Sequence, residues 1–269
     1  AIMIDMKAGT RSFKKIVGYQ RLQELGDQIK PFSYRIKKEQ CLDLPPKTYI
    51  YREVELTPEQ KKVYKSLSDV AVAMLDGKVL SVDTVLTQML RLHQITCGHY
   101  KSDDDEVIQV PNNRLAELMQ ILEESSNKVI IWATYIQDIQ AILAALKKEY
   151  GDESTVAYYG AVSQDDRNIA IDRFQKDETC RFFVGNPQTG SMGITLTAAD
   201  TVIYYSNSYN LEHRLQSEDR AHRIGQEKNV LYVDLICRGT IDSKIVKALR
   251  DKKNIAQQVM GDDWKEWLT

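Results

Sequence analysis

The chain has 269 residues, a formal net charge of -2, 43% hydrophobic residues and a mean hydropathy of -0.40. This composition supports a hydrophobic core and excludes a short peptide or a disordered chain. No apolar run approaches the roughly 20 residues that cross a bilayer and the N-terminus has no signal-peptide pattern, so we expect no membrane attachment. The first 20 residues show neither caps nor a sustained period, and we interpret the chain as a piece of a longer protein.

The first half of the chain predicts a short helix, a strand and a pair of helices. A helix is expected around residues 22–29 and a strand over 49–56. Thr57 and Gln60 have the spacing of a capping box, which predicts the start of a helix, and a second amphipathic helix is expected over 82–97. The two helices follow each other closely and predict a hairpin.

From residue 113 onward, helices alternate with short apolar strands, which is typical of a parallel sheet with helices on its faces. The expected strands lie at 129–132, 156–159, 181–184, 201–205 and 230–236, and the expected helices at 115–122, 136–146, 163–174, 211–224 and 241–249. Thr134, Ser163 and Thr240 are predicted N-caps. We therefore expect one α/β domain of about five strands.

The charge is uneven along the chain. Residues 1–66 carry 14 Lys and Arg against 8 Asp and Glu, a balance of +6, and the remainder carries -8. A basic segment attracts phosphate groups, but it is equally often a solvated face, and both interpretations stay open.

The four cysteines lie far apart in sequence, without a CxxC pair, so their spacing predicts neither a disulfide framework nor a four-cysteine zinc site. They fit a reducing, intracellular setting, either the cytoplasm of a bacterial or virus-infected cell or a eukaryotic nucleus. His93, Cys97 and His99 include the i, i+4 spacing of metal ligands on a helix. No fourth ligand is nearby and His93 lies in an apolar stripe, so we expect no metal in this chain.

Two sets of residues have the chemistry of a phosphate site. Gly190 and Gly193 follow a predicted strand, and glycines let the backbone approach phosphate oxygens, although a tight turn explains them equally well. Gln216, Arg220 and Arg223 are spaced to share one face of the helix expected at 211–224. Guanidinium groups suit phosphate oxygens, and ion pairing with neighbouring acids is the equal alternative.

The usual parts of a complete nucleotide site are absent from the sequence. No GxxxxGK[ST] phosphate loop occurs, and no acidic pair follows a buried strand. The chain alone is therefore not expected to bind Mg-ATP in the usual way.

Several segments together resemble the C-terminal half of the Swi/Snf-type DNA-dependent ATPases, a branch of the superfamily-two helicases. The resemblance rests on LTQMLRLHQITCGH, KVIIWATY, YYGAVSQDDRNIAIDRFQ, GNPQTGSMGITLTAADTVIYY and QSEDRAHRIGQ, while DLPPKTYIYREVELTPEQKKVY resembles the segment that joins the two halves. The spelling is most similar to compact viral, bacterial and annealing-helicase members. The resemblance implies a RecA-like parallel sheet with four parts: an inter-lobe linker (1–48), a strand with a helical hairpin protrusion (49–110), the C-terminal RecA-like domain (111–240) and a brace helix (241–269).

Members of this family bind ATP and Mg²⁺ between two RecA-like lobes, of which the first supplies the phosphate loop and the second supplies arginines. The resemblance implies that Arg223 is the arginine finger that meets the γ-phosphate, that Arg220 is its companion, and that Gln216 senses the nucleotide. Gly193 and Asp219 are further candidates for nucleotide binding. An arginine added from a facing surface stabilises charge on the transferring phosphoryl group.

The resemblance also implies that one DNA strand is held by its backbone. Hydroxyl groups, backbone amides and helix N-termini suit such sequence-independent contact. The candidates are Thr134, Tyr135, Gly160, Ser163, Gly190 and Thr195. Gln188 stands where the family commonly has a basic residue, so a basic DNA contact is lost there. Tyr209 stands where the family often has tryptophan.

We therefore expect the C-terminal lobe of an ATP-driven double-stranded DNA translocase that works as a monomer with its own N-terminal RecA-like lobe. The chain alone is expected to hydrolyse no ATP, because the lobe with the phosphate loop is missing. Two alternatives stay open: an RNA helicase lobe, and a non-catalytic module whose arginine helix docks an acidic protein partner. A plain nucleotide-binding α/β fold is a third alternative, and it lacks a complete phosphate-binding fingerprint.

Overall fold

The computed structural model describes residues 2–8, 11–18, 20–34, 41–76, 82–101, 106–190 and 193–259. Strands β1 (Ile2–Ala8) and β2 (Arg11–Gly18) pair antiparallel and are followed by helix α1 (Leu22–Ile29) and a 3₁₀ turn (Lys30–Phe32). Helix α1 was predicted, whereas the β1–β2 hairpin was not. Consecutive apolar residues at the start of β1 interrupt the alternation by which a strand is recognised.

The helical hairpin is present, but the strand before it belongs elsewhere. Strand β3 (Lys47–Val54) leads into helices α2 (Pro58–Asp76) and α3 (Val82–Cys97), which are followed by a small antiparallel pair, β4 (His99–Lys101) and β5 (Val107–Gln109). We assigned this strand to the 49–110 protrusion, and that assignment is wrong. Strand β3 is part of the main sheet, because its backbone pairs along its whole length with the last strand of that sheet.

Among the described residues, six parallel strands form the main sheet in the order β3-β10-β9-β6-β8-β7, one strand more than expected. The five strands that join β3 are β6 (Lys128–Trp132), β7 (Thr155–Tyr158), β8 (Phe182–Gly185), β9 (Ala199–Tyr204) and β10 (Val230–Cys237). Their nearly continuous apolar sequences fit strands that are covered on both faces. The expected RecA-like parallel sheet is thereby confirmed.

Helices cover both faces of the sheet. They are α4 (Arg114–Glu124), α5 (Ile136–Tyr150), α6 (Gln164–Lys176), the short α7 (Pro187–Gly190), α8 (Leu211–Ala221) and α9 (Ile241–Val259). Within β6, Val129 and Ile131 pack against the apolar residues of α4 and α5. Ile130 and Trp132 point the other way and pack with those of α6 and α8. This alternation of side chains divides the core into two layers.

Local capping signals set several helix starts. The reciprocal capping box is confirmed: Gln60 N–H donates to Thr57 Oγ1 at 3.1 Å, and Thr57 N–H donates to Gln60 Oε1 at 3.0 Å. Ser163 and Thr240 also accept from amides two or three residues on. The predicted cap at Thr134 is wrong, because its hydroxyl donates to the Ser206 carbonyl and Tyr135 precedes the helix without a side-chain cap.

The last helix, α9, packs against α3 through Leu92, Ile241, Ile245 and Leu249. Its described part joins the helical hairpin to the domain. A contact between this helix and another lobe stays a prediction. In the ranges that the structure describes, no helix combines the length and apolar character needed to cross a membrane.

Candidate functional site

Two guanidinium groups meet at the end of helix α8. Nη1 of Arg220 lies 3.3 Å from the carbonyl oxygen of Ile194, and Nη1 of Arg223 lies 3.4 Å from the same oxygen. Arg220 is buried and Arg223 is exposed. Burial and the neighbouring charge of Arg223 lower the pKa of Arg220. Two positive charges that share one carbonyl favour an incoming anion.

The helix ends earlier than predicted, and this changes how the arginines are arranged. Helix α8 stops at Ala221, so Arg223 follows the helix instead of sharing a helical face with Gln216 and Arg220. The turn after the helix is fixed by Gln226, which is 6% exposed and whose Nε2 donates to the carbonyls of Ala199 (2.8 Å), Ala221 (3.1 Å) and Thr197 (3.2 Å).

The turn that Gln226 fixes holds the arginine pair next to the segment before β9. Leu196 N–H donates to the Arg220 carbonyl at 2.9 Å, which adds a backbone contact. The role of Gln226 is not visible in the sequence, since no periodicity marks a buried amide that follows a turn. The arginine pair therefore lies near the amino end of β9.

Two of the other nucleotide candidates, Gln216 and Asp219, lie on α8, where the Gln216 carbonyl accepts from Arg220 Nε at 2.9 Å, and the third precedes β9. Nε2 of Gln216 donates to Glu212 Oε1 at 2.9 Å, and Asp219 Oδ1 lies 3.7 Å from Lys47 Nζ. Gly193 is exposed with φ +57°, and a side chain there would meet nothing within 4 Å. Nucleotide binding by Gln216, Asp219 and Gly193 stays a prediction.

The candidates at the carboxyl end of β6 are bonded within the fold. Thr134 N–H donates to Ser206 Oγ at 2.8 Å, and its own hydroxyl donates to the Ser206 carbonyl at 3.1 Å. The Tyr135 hydroxyl lies 2.7 Å from His93 Nδ1, and its ring packs edge-on against His99 at 5.1 Å. Burial raises the pKa of Tyr135. These two side chains shape the loop after β6.

Gly160 and Ser163 offer an exposed surface, whereas Gly190 does not. Gly160 has no atom within 4 Å of the position of a Cβ, and Ser163 caps α6 at the surface. Gly190 is buried, its N–H donates to the Asn186 carbonyl at 3.0 Å, and a Cβ there would lie 2.5 Å from the Trp132 ring. Packing against Trp132 is therefore enough to require this glycine. Thr195 is half-buried beside Ile194, in the segment that meets the arginines.

The histidine and cysteine cluster is part of a buried polar network. His93 Nε2 lies 3.7 Å from Asp242 Oδ1, and His99 Nδ1 lies 3.2 Å from Asp138 Oδ1. Burial raises the pKa of the Cys97 thiol well above its usual value, which keeps it protonated. In the described part of the chain, no group of three or more His, Cys, Asp or Glu side chains could hold a metal ion.

Arg114 is the centre of this network, although no pattern in the sequence marks it as a buried residue. The side chain is 1% exposed, pairs with the Asp242 carboxylate, and donates to the carbonyls of Leu235 (2.9 Å) and Thr96 (3.2 Å). Burial opposes the ionisation of the Asp242 carboxyl, but the positive charge of Arg114 and hydrogen bonds from the Cys237 amide and the Thr96 hydroxyl hold the pKa of Asp242 below its usual value. The network ties α3, α4, β10 and α9 together.

The six-stranded parallel sheet flanked by helices matches the RecA-like lobe of Snf2-type ATPases, and the arginine pair lies at the end of one of its helices. Residues 112–225 match the helicase conserved C-terminal domain family. The chain is 28% identical to the Sulfolobus solfataricus SWI2/SNF2 ATPase core in complex with dsDNA, with a TM-score of 0.63, over 92% of this chain and 54% of that one. The chain therefore contains a helicase conserved C-terminal domain, and its structural neighbours include C-terminal domains of SWI2/SNF2 ATPases.

Relatives of the chain come from bacteria and from plants. It is 30% identical to the putative ATP-dependent helicase/translocase YwqA of Bacillus subtilis, over 93% of this chain and 28% of that protein. It is 29% identical to the CHD3-type chromatin-remodeling factor PICKLE of Arabidopsis thaliana, over 93% of this chain and 19% of that protein. The chain thus spans less than a third of the length of either relative. Because relatives include plant proteins, the expected particular similarity to viral or bacterial members is not supported.

Proposed function

We propose that this domain completes the ATP site of a DNA-stimulated ATPase, with Arg223 as the arginine finger and Arg220 as its companion. The observation that carries the proposal is the convergence of both guanidinium groups on the Ile194 carbonyl, with Arg223 exposed beside it. An exposed guanidinium held by a fixed backbone can meet a phosphate presented by a facing surface.

The remaining parts of the site come from the first RecA-like lobe of the same protein. That lobe supplies the phosphate loop and holds Mg²⁺, since this sequence has neither a phosphate loop nor an acidic pair after a buried strand. Arg223 adds positive charge only when the lobes close, so hydrolysis depends on closure. The chain alone hydrolyses no ATP.

The DNA strand is held at the carboxyl ends of the strands, away from the arginine pair. The N-terminus of α6 and Gly160 in the loop before it are exposed and offer backbone groups to a phosphate, while the Ser163 hydroxyl is bonded to Asp166 in the acidic first turn. Thr134 and Tyr135 contribute by holding the shape of the neighbouring loop. Closing and opening of the lobes on ATP then steps a monomer along double-stranded DNA.

The test is ATP turnover by the full-length protein at low salt with no polymer, duplex DNA, single-stranded DNA or RNA. Duplex DNA should stimulate turnover, and Arg223→Ala should reduce it by about a thousandfold, within the range of known arginine fingers. Arg238→Ala is the matched control, because that arginine is 80% exposed and pairs on the surface with Glu53.

Each other outcome selects a different function. Stimulation mainly by RNA would indicate the RNA helicase alternative. Turnover that is indifferent to every polymer, or equal in Arg223→Ala and Arg238→Ala, would contradict the proposal and favour a protein-interaction module.

A further inference from the structure

The segment that enters strand β3 is bonded to the end of the arginine-bearing helix α8. His222, the residue between Ala221 and Arg223, is 7% exposed, and its Nε2 lies 2.7 Å from the Pro45 carbonyl oxygen. A carbonyl only accepts, so Nε2 carries the proton and donates. Lys47, two residues on from Pro45, lies 3.5 Å from Glu218 and 3.7 Å from Asp219. Both contacts join residues that are far apart in sequence.

Glu218 is the second point of attachment. Its side chain is 4% exposed, its Oε1 accepts from Arg214 Nε at 2.9 Å, and its Oε2 accepts from the Tyr49 hydroxyl at 2.7 Å. Burial and the charge of Glu218 raise the pKa of Tyr49, so its hydroxyl stays protonated and donates. A carboxylate that accepts from both sides in a buried setting is held in one position.

These attachments lie one turn of helix or less from the arginine pair. Glu218 precedes Arg220 by two residues, and His222 directly precedes Arg223. The backbone at Arg220 is also held by Leu196. The end of α8 therefore cannot shift without breaking its bonds to Pro45 or Tyr49, which belong to the segment leading into β3 and to β3 itself.

We propose that His222 and Glu218 are positioning residues, which fix the arginine pair to the chain segment that enters β3. The inference rests on the proposed function, because it assumes that Arg223 acts on the nucleotide. The segment entering β3 is the part of this chain that resembles the joint between the two lobes. A movement of that joint is thereby passed directly to the two guanidinium groups, and the first lobe influences the finger through the chain as well as across the cleft.

The experiment compares two tyrosines that bond to the same residue. Tyr49 donates to the Glu218 side chain, and Tyr232, which stacks on Tyr49 at 5.1 Å, donates to the Glu218 backbone carbonyl at 2.9 Å. Tyr49→Phe and His222→Phe each remove one hydrogen bond between the end of α8 and the β3 side and keep an aromatic ring, while the Lys47–Glu218 ion pair remains. Tyr232→Phe removes a similar hydroxyl that links α8 to β10 and serves as the matched control.

In the full-length protein, Tyr49→Phe and His222→Phe should each lower the kcat of DNA-stimulated ATP hydrolysis by about tenfold, with a KM for ATP within about twofold of wild type. Tyr232→Phe should leave kcat within about twofold of wild type. In an Arg223→Lys background, Tyr49→Phe should cause no further loss of kcat, because a residue that acts through Arg223 has no effect once that arginine is gone. Thermal unfolding identifies any variant that fails to fold. If His222→Phe does not fold, the comparison of Tyr49→Phe with Tyr232→Phe decides the test.

Three results would overturn the inference. Equal kcat values for Tyr49→Phe and Tyr232→Phe would show that the attachment to the entering segment has no special role. An additive loss in the Arg223→Lys background would show that Tyr49 does not act through the arginine. If Arg223→Ala itself has no effect on turnover, the proposed function fails first and the positioning role fails with it.

Discussion

Replacing Arg114 by methionine should test whether the buried polar network holds the domain together. Methionine keeps the length and apolar volume of the arginine stem and removes the guanidinium. The substitution leaves the Asp242 carboxylate, which is 4% exposed, without its cationic partner. It also removes the donor from the carbonyls of Leu235 and Thr96. Helices α3 and α9 are joined to β10 through these groups, so we expect the substitution to weaken the contacts among these three elements.

The magnitude follows from these lost contacts. Removing one partner of a buried ion pair costs about 3–5 kcal/mol, because the other charge is left without a partner. Asp242 keeps hydrogen bonds from Thr96 Oγ1 at 2.8 Å and from the Cys237 amide at 3.0 Å, which offset part of that cost. We expect Arg114→Met to lower the free energy of unfolding by about 4 kcal/mol, and to lower Tm by about 8–16 °C for a domain of this size.

A double-mutant cycle measured by urea unfolding provides the assay. Asp242→Asn alone should destabilise the protein by about 3 kcal/mol, because it leaves Arg114 buried without a counter-charge. In the Arg114→Met background, Asp242→Asn should raise the free energy of unfolding by about 1–2 kcal/mol, because it removes a buried carboxylate that has lost its counter-charge. If Asp242→Asn costs the same in both backgrounds, the two residues are not coupled and the reasoning is refuted.

Three further changes probe other parts of the fold. Gly190→Ala should cost about 1–3 kcal/mol through its contact with Trp132, whereas Gly160→Ala, with open space around it, should change the free energy of unfolding by less than about 0.5 kcal/mol; denaturant titrations of the pair test this. Burial lowers the pKa of His93 below its usual value of 6.5, so below that pH the unfolded chain takes up a proton that the folded chain does not. Unfolding free energy should therefore fall as the pH drops from about 6.5 to about 5.5, and a slope equal in wild type and His93→Gln would contradict this cause. Gln226→Ala removes the four hydrogen bonds of this side chain at the turn after α8, and a melting experiment should show a loss of about 2–3 kcal/mol in the free energy of unfolding.

Short-range signals in the sequence predicted much of the fold. The capping box at Thr57 and Gln60 and the cap at Ser163 depend on residues three apart, so they are visible without any tertiary information. The apolar strands were recognised because both of their faces are covered. The signal failed at Thr134, whose hydroxyl is taken by the Ser206 carbonyl, a residue brought near only by the pairing of β6 with β9.

The parts that the sequence did not reveal depend on distant partners. Arg114 and Glu218 are charged residues that statistics place at the surface, and only the groups supplied by other elements allow their burial. The position of β3 beside β10 comes from the way the chain crosses the sheet, and no periodicity encodes it. For the candidate site, the residue types pointed to the arginine pair, but its location depended on where α8 ends.

The placement of β3 has a consequence for how this domain is made. In the main sheet β3 is synthesised before every other strand, yet its single neighbour is β10, the last of those strands to leave the ribosome. Residues 112–225, which match the helicase domain family, contain neither of these two strands. Pairing of distant segments is slow and leaves strand edges exposed in the meantime. A shortened gene product that stops before β10 would therefore leave β3 without a partner and β9 with an open, apolar edge, a combination that favours aggregation.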